Sequence, residues 1–449
     1  MNDINKVGGY KCPFRSIRHI GDPFMLYDDV TNKYYMYCTG GKYQCWSSDT
    51  MEEWTAHGDS YLVTEKSFGE VNYWAPEVYK IGDTFYQVYS AARMIDGKKR
   101  HSIGIASAKC PTGPFTDIYD RPLFAPDYSI IDASLLFDDG KVYLYYSRDC
   151  SENYVNGKRT SQTFGIEVKP DFSGTVGDPV LLATPESPWE LISGDVVWNE
   201  GPCVFKRGEL YYLLFTANYY ASVHYCVGYA VSKSPLGPFE KAKENPIVVG
   251  DGIYTSGTGH CNIAYSPDKS EMYMVYHSHF DVTNTTNPVA DRTPCVDKIV
   301  FDENGKMLVN GPFVAKQPFL SGTNGLYKKY EGVTVSSSQG GDVSLLTDGA
   351  IVTEKVYKFN GECEITLTYD KPLTLESIWI YSDKDAKNAP KSVYAVVCGE
   401  KTEVKTFDGQ LPFEPLVFDF EKSDVSEVKL VLDGADGALV SEIITVEKR

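Results

Sequence analysis

The sequence predicts an all-β protein, a five-bladed β-propeller followed by a β-sandwich. Three observations point there. A hairpin motif recurs five times between residues 22 and 276. Apolar residues at helical spacing are sparse, while short strands bounded by Gly, Pro, Asn and Asp run throughout. The motif then stops after Gly311-Pro312 and a different series of alternating strands begins.

Each repeat opens on a polar or aromatic residue with an aromatic five positions later: Asp22-Pro-Phe-Met-Leu-Tyr27, Trp74-Ala-Pro-Glu-Val-Tyr79, Asp132-Ala-Ser-Leu-Leu-Phe137, Glu200-Gly-Pro-Cys-Val-Phe205 and His260-Cys-Asn-Ile-Ala-Tyr265. A turn follows, then a Tyr-rich strand: Tyr34–Tyr37, Phe85–Tyr89, Val142–Tyr146, Leu210–Phe215 and Met272–Tyr276. Each unit therefore reads as a hairpin. The leading residues are 52, 58, 68 and 60 positions apart, a period near that of propeller blades and too long for leucine-rich, ankyrin or tetratricopeptide arrays. Units two and four also share an echo, Ile105-Ala-Ser-Ala-Lys-Cys-Pro-Thr-Gly-Pro-Phe115 and Tyr229-Ala-Val-Ser-Lys-Ser-Pro-Leu-Gly-Pro-Phe239, which reads as a third strand running into a Pro-Gly turn. Blades surround a central channel lined by their first strands, so the five leading residues are expected to converge there.

The propeller is expected over residues 1–315 and a linker over 316–342, where Gly and Ser turn text dominates. An accessory sandwich is expected over 343–449, with strands such as Glu364–Tyr369, Ser377–Tyr381, Val393–Val397, Leu416–Phe420 and Glu427–Leu432. Leu346-Thr-Asp-Gly349, Pro390-Lys-Ser-Val-Tyr394 and Ser441-Glu-Ile-Ile444 resemble discoidin-like, carbohydrate-binding sandwich modules. A purely structural sandwich stands beside that reading.

Composition limits the partners. The 449-residue chain is 42% hydrophobic and 13% aromatic, enough to bury more than one core. Its net charge of −18 opposes nucleic acid and anionic membranes, where Lys and Arg must displace counterions. No run has the length of a transmembrane segment, and Met1–Lys6 lacks the apolar stretch of a secretory leader. Eleven cysteines without a C-x-x-C pair favour a reducing, cytoplasmic setting; a secreted protein is the reading if a leader has been removed.

Three of the five converging residues are acids. Cleaving a glycosidic bond needs one carboxylic acid to protonate the leaving oxygen and one carboxylate to activate water or attack carbon. A further carboxylate nearby raises the acid's pKa. Acids on different blades are expected to stand apart, in the inverting range of roughly 6.5–9.5 Å. This assigns Asp22 as general base, Glu200 as general acid and Asp132 as the residue that orients the acid and raises its pKa.

Gly21-Asp-Pro-Phe24, Tyr73-Trp-Ala-Pro-Glu77, Ile131-Asp-Ala-Ser-Leu135, Asn199-Glu-Gly-Pro202 and Gly259-His260 resemble, in order and spacing, the blade signatures of glycoside hydrolase family 43, of the α-L-arabinofuranosidase and β-xylosidase type. The resemblance implies a five-bladed propeller acting on arabinose- or xylose-containing glycans. It matches Asp22, Asp132 and Glu200 to the family's base, pKa modulator and acid. Trp74, Glu77 and Arg292 join them as expected substrate-binding residues. His260 matches a histidine that helps hold calcium or another cation at the channel centre; no organic cofactor is implied. Cys203 after Glu200-Gly-Pro departs from the bulky or polar residue common there, beside the acid. An α-L-arabinofuranosidase is the preferred activity and a β-xylosidase the next. An endo-arabinanase, a propeller phosphorylase and a non-catalytic glycan-binding protein remain open, although phosphorolysis would need a basic cluster that the blade starts lack.

Overall fold

The computed structural model of the chain describes residues 9–281 and 291–449, so the Met1–Lys6 segment read for a leader lies outside the described residues. Five antiparallel sheets follow one another along the chain. Blade one is Gly21–Asp28, Lys33–Thr39, Gln44–Ser48 and Thr55–Asp59. Blade two is Val71–Ile81, Thr84–Ile95, Lys98–Ala108 and Thr116–Asp117. Blade three is Ile130–Asp138, Lys141–Arg148, Gln162–Val168 and Thr175–Ala183. Blade four is Asn199–Arg207, Leu210–Ala217 and Cys226–Ser232, whose outer edge takes Glu240–Lys241 and Val248–Val249. Blade five is Gly259–Tyr265, Met272–His279, Arg292–Phe301 and Met307–Asn310.

The turn text explains the tight hairpins. Between the paired residues Asp138 and Lys141, Asp139 and Gly140 both have positive φ, 49° and 74°. That is what a two-residue type I′ loop needs at both central positions. The tyrosines fill the space between blades: Tyr34, Tyr37, Tyr89, Tyr145, Tyr212 and Tyr276 are fully buried. A buried phenol needs a partner, and the repeated Pro-Gly turns supply two. Tyr37 of blade one donates to the Pro111 carbonyl of blade two at 2.6 Å, and Tyr145 of blade three to the Pro235 carbonyl of blade four at 2.8 Å.

Among the described residues every blade is built from its own stretch of the chain, and no blade borrows a strand from another to close the ring. Closure instead uses the segment before blade one. Gly9–Lys11 pairs with Lys316–Pro318, Phe14 N–H donates to Pro294 O at 2.9 Å, and Thr293 Oγ1 donates to Phe14 O at 2.9 Å.

The C-terminal sheet centres on two long strands, Tyr357–Tyr381 and Leu416–Val440. Their register shifts between Thr368 and Ser377, where each strand passes from one layer of the sandwich to the other. The first layer adds Val333–Ser337 and Ser392–Val397, the second Glu442–Lys448 and Tyr327–Lys329. Ile365, Leu367, Leu430 and Leu432 meet Ile378, Ile380, Leu416 and Ile443 between them. The outer face of the second layer is apolar too: Trp379, Tyr381, Val417 and Val446 pack with Phe313. The stretch 316–342, expected as linker, thus holds a ring-closing strand and two sandwich strands; Val333-Thr-Val-Ser-Ser337 is short enough to read as turn text.

Each first strand carries a β-bulge at its start, between Gly21 and Phe24, Trp74 and Glu77, Ile131 and Ser134, Glu200 and Cys203, and Gly259 and Asn262. One residue in each bulge is left-handed: Asp22, Ala75, Asp132, Gly201 and His260, with φ between 48° and 60°. A bulge leaves an unpaired residue in the ladder, so its N–H needs another acceptor. A side chain on the second strand of the preceding blade provides it. Ala75 N donates to Thr39 Oγ1 (2.7 Å), Asp132 N to Ser90 Oγ (2.9 Å), Gly201 N to Ser147 Oγ (3.2 Å), His260 N to Thr216 Oγ1 (3.0 Å) and Asp22 N to His277 Nδ1 (3.3 Å). These five bonds link every pair of neighbouring blades around the channel. Ser90→Ala leaves a buried N–H without its partner and is expected to cost about 1–3 kcal/mol, read as a lower urea midpoint of the propeller by fluorescence; Ser90→Thr should recover most of the loss.

Candidate active site

The bulges set which side chains reach the channel mouth. Two residues of a bulge oppose one on the partner strand, so each blade presents two adjacent positions. The left-handed position holds Asp22, Ala75, Asp132, Gly201 and His260, and the preceding one holds Gly21, Trp74, Ile131, Glu200 and Gly259. The sequence motif assigns one leading residue per blade, and the structure corrects that register. Asp22, Asp132 and His260 lie at the left-handed position, Trp74 and Glu200 one residue earlier.

Asp22 is surrounded by donors and positive charge. Arg292 Nη1 donates to Oδ1 at 3.1 Å and Thr39 Oγ1 to Oδ2 at 2.5 Å, while His260 Nδ1 stands 3.4 Å from Oδ1. Burial pushes this carboxyl up, but His260, Arg292 and the Thr39 hydrogen bond outweigh it and hold the pKa below the usual carboxylate value. Gly21 makes the arrangement possible, since a Cβ there would lie 2.1 Å from Arg292 Nη2.

Asp132 and Glu200 are 7% and 8% exposed. Asp132 Oδ2 accepts from Gly201 N at 3.1 Å and Ser147 Oγ at 3.2 Å, which fixes it against the backbone of the residue after Glu200. Burial pushes its carboxyl up, His260 opposes that, and Asp22 adds to it. Glu200 has one direct partner, Tyr225, whose hydroxyl donates to Oε1 at 2.9 Å. Burial, then the charge of Asp132, raise the Glu200 carboxyl well above its ordinary value. One site thus holds, on different blades, a carboxyl whose pKa is lowered and one whose pKa is raised.

The other expected residues divide. Trp74 is half-buried and stacks on His101, with ring centroids 4.4 Å apart and planes at 24°. Arg292 is at the site, bound to Asp22 and lying 4.9 Å over the Tyr220 ring. Glu77 closes the bulge that Trp74 opens, and there Asn262 Nδ2 donates to its Oε1 at 2.5 Å and Tyr79 to its Oε2. Burial, with a contribution from Asp132, pushes its pKa up to about 8 despite those bonds.

Calcium takes six to eight oxygen ligands, and the residues around His260 do not form such a set. His260 Nδ1 faces Asp22, whose oxygens are engaged by Arg292 and Thr39. Among the described residues no three His, Cys, Asp or Glu side chains converge as a metal cage.

Thr39, Ser147, Tyr225 and His277 belong to the site and are absent from the sequence motif. The hydroxyls carry a signal nonetheless: Ser90, Ser147, Thr216 and His277 each directly follow the last aromatic of their second strand, and Thr39 follows one residue later. His277 accepts from Asp22 N, and burial, reinforced by Arg292 and His260, holds its imidazole far below its usual pKa and hence neutral. The cavity of about 430 Å³ lined by Glu271, Lys298, Lys329 and Glu442 lies between propeller and sandwich. None of the blade-start residues lines it.

A five-bladed propeller whose blade starts gather carboxyls with oppositely shifted pKa values is the arrangement expected of a glycosidase. The chain belongs to glycosyl hydrolases family 43, whose description matches residues 10–307. A crystal structure of a thermostable family-43 glycoside hydrolase is 40% identical, with a TM-score of 0.64, over 69% of this chain and 98% of that one. A β-D-galactofuranosidase of Aspergillus niger is 28% identical over 59% of this chain and 73% of its own length. A xylan β-1,4-xylosidase structure from Bacillus halodurans spans 98% of this chain and all of its own, at 14% identity and a TM-score of 0.54; it speaks to the fold alone. No organic cofactor is needed in this family.

Replacing Arg292 by Met should raise the Asp22 pKa, because burial is then opposed only by His260 and Thr39. Titration of the ¹³C-labelled Asp22 carboxyl checks this; an unchanged value would show that Arg292 does not set its charge.

Proposed function

We propose that the chain is an inverting exo-glycosidase with Asp22 as general base and Glu200 as general acid. Asp132 keeps Glu200 protonated and fixes the strand that carries it. The opposite environments of the two carboxyls support this most directly. Asp22 has an arginine and a histidine beside it, whereas Glu200 has a phenol and a neighbouring acid. Pairs of acids pushed apart in pKa identify the base and the acid, and hydrolysis runs best where the first is ionised and the second is not. Glu200 gives its proton to the leaving oxygen, while Asp22 takes one from the water that attacks the anomeric carbon from the opposite face.

The preferred sugar is α-L-arabinofuranose, cleaved from plant oligosaccharides or polysaccharides. Trp74 would wall the pocket and Arg292 would reach a hydroxyl from its place beside Asp22. The named activity of the Aspergillus relative supports a five-membered ring, since β-D-galactofuranose has the same configuration around the ring as α-L-arabinofuranose and differs in its exocyclic carbon. Release of β-D-galactofuranose is therefore the second reading, with β-D-xylose next. The family's sandwich-bearing members make a glycan-binding role for residues 343–449 part of the same proposal.

Glu200→Gln should lower turnover on arabino-oligosaccharides by about 10³-fold while sugar binding persists. Activity should return on substrates with a dinitrophenolate leaving group, which needs no proton. Asp22→Asn should lose activity on both. Proton NMR of the first-formed sugar should show the inverted anomer. A first-formed anomer of retained configuration, or full activity of Glu200→Gln on oligosaccharides, would refute the assignment.

A further inference from the structure

Resting on that reading, we propose that Trp198 and Tyr219, at the rim of blade four, form the platform for the sugar that leaves. In-line displacement puts attacking water and departing oxygen on opposite sides of the anomeric carbon. With water activated on blade one, the leaving sugar lies over the blade that holds Glu200. At the mouth end of that blade the last paired residues are Asn199 and Ala217, and just beyond them stand Trp198 and Tyr219. Their rings touch, with centroids 5.3 Å apart and planes at 35°. Trp198 is partly buried and Tyr219 is 39% exposed, so part of this aromatic pair, two residues along the chain from Glu200 at Trp198, is left open to solvent. Aromatic faces pack against the C–H surface of a sugar ring.

Both rings are held in advance of any ligand. Val196–Val197 pairs with Arg159–Thr160 in a small sheet outside the blades, which anchors the backbone leading into Trp198. Asn218, fully buried, donates from Nδ2 to the carbonyls of Trp189 and His224 at 2.9 and 3.0 Å, and this fixes the loop that follows it. The loop turns through Ser222 N to Tyr219 O and Tyr225 N to Ser222 O, at 2.7 and 3.1 Å. It therefore carries Tyr219 at the rim and, six residues on, the Tyr225 hydroxyl that holds Glu200. Its Tyr220 carbonyl lies 3.0 Å from His279 Nε2, and its Tyr220 ring lies under Arg292. One short loop thus reaches both the acid, through Tyr225, and the arginine beside the base, through Tyr220, and carries the exposed Tyr219.

The test compares leaving groups with and without a sugar ring. For each variant, kcat/KM is measured on α-1,5-linked arabinobiose and on methyl α-L-arabinofuranoside, or on xylobiose and methyl β-D-xyloside if xylose is the sugar released. Trp198→Ala and Tyr219→Ala should each lower the disaccharide-to-methyl-glycoside ratio about tenfold. Tyr219→Phe, which keeps the ring, should hold it. An unchanged ratio, or loss with Tyr219→Phe as severe as with Ala, would overturn the platform. Calorimetric titration of Glu200→Gln with the disaccharide and the monosaccharide separates this proposal from the catalytic one. The platform predicts tighter disaccharide binding that Trp198→Ala abolishes, even if the protein hydrolyses nothing. Equal affinity for the two ligands would refute it.

Discussion

The site depends on how each blade satisfies one awkward backbone N–H. A bulge at the head of an inner strand turns two side chains toward the channel, but it takes its left-handed residue out of the ladder. Five neighbouring side chains answer that, and each belongs to the preceding blade. The bonds that hold the blades in register are therefore also those that aim the functional residues. In blades one and three the same hydroxyl does both: Thr39 accepts from Ala75 N and donates to Asp22, and Ser147 accepts from Gly201 N and donates to Asp132. A left-handed non-glycine residue costs on the order of 1–3 kcal/mol, least for Asn, Asp and His. Asp, Asp, His and Gly fill four of the five positions, so in three blades a residue type that tolerates the backbone also supplies a side chain of the site.

Electrostatics then separates groups that share one cleft. Burial alone would neutralise all three acids. Asp22 escapes because Arg292 and His260 converge on it and because Gly21 leaves room for the guanidinium. Glu200 does not escape; its partner is a phenol and its neighbour is Asp132. The backbone N–H that Asp132 accepts belongs to Gly201, the residue after Glu200. The charge that raises the acid's pKa is thereby tied to the strand that positions the acid.

The blades were legible because an inner strand's aromatics recur in fixed register, so Tyr27, Tyr79, Phe137, Phe205 and Tyr265 announce the repeat. The three acids were legible because charge at a strand start is conspicuous. The one-residue offset of Trp74 and Glu200 was not, since a bulge depends on backbone conformation and its left-handed residue is Ala in one blade and Gly in another. Ser90 and Thr216 look like ordinary strand residues until the next blade's N–H is brought to them. Fold periodicity is written within a blade, whereas the contacts that make the site run between blades.

The same contrast holds at the join with the sandwich. Glu271, in the turn of blade five's first hairpin, receives Lys329 at 2.6 Å and Lys298 at 3.1 Å, and it also accepts from Tyr273 and Ser321 N. Burial raises its carboxyl, but the two ammonium groups pull it well below the carboxylate range. A buried ion pair gains little against apolar packing, yet losing one partner strands a charge. Apolar contact of Phe313 with Trp379 and Tyr381 therefore supplies the adhesion, and the charged knot rejects other orientations. It does so from both sides of the join, since Lys298 comes from blade five's third strand and Lys329 from the sandwich. A sandwich displaced from this pose would leave Glu271 short of one cation and Lys329 buried without its acid. The accessory layer is thus specified in angle as well as held in place, in the way the ring of blade-start bonds specifies the angle of each blade.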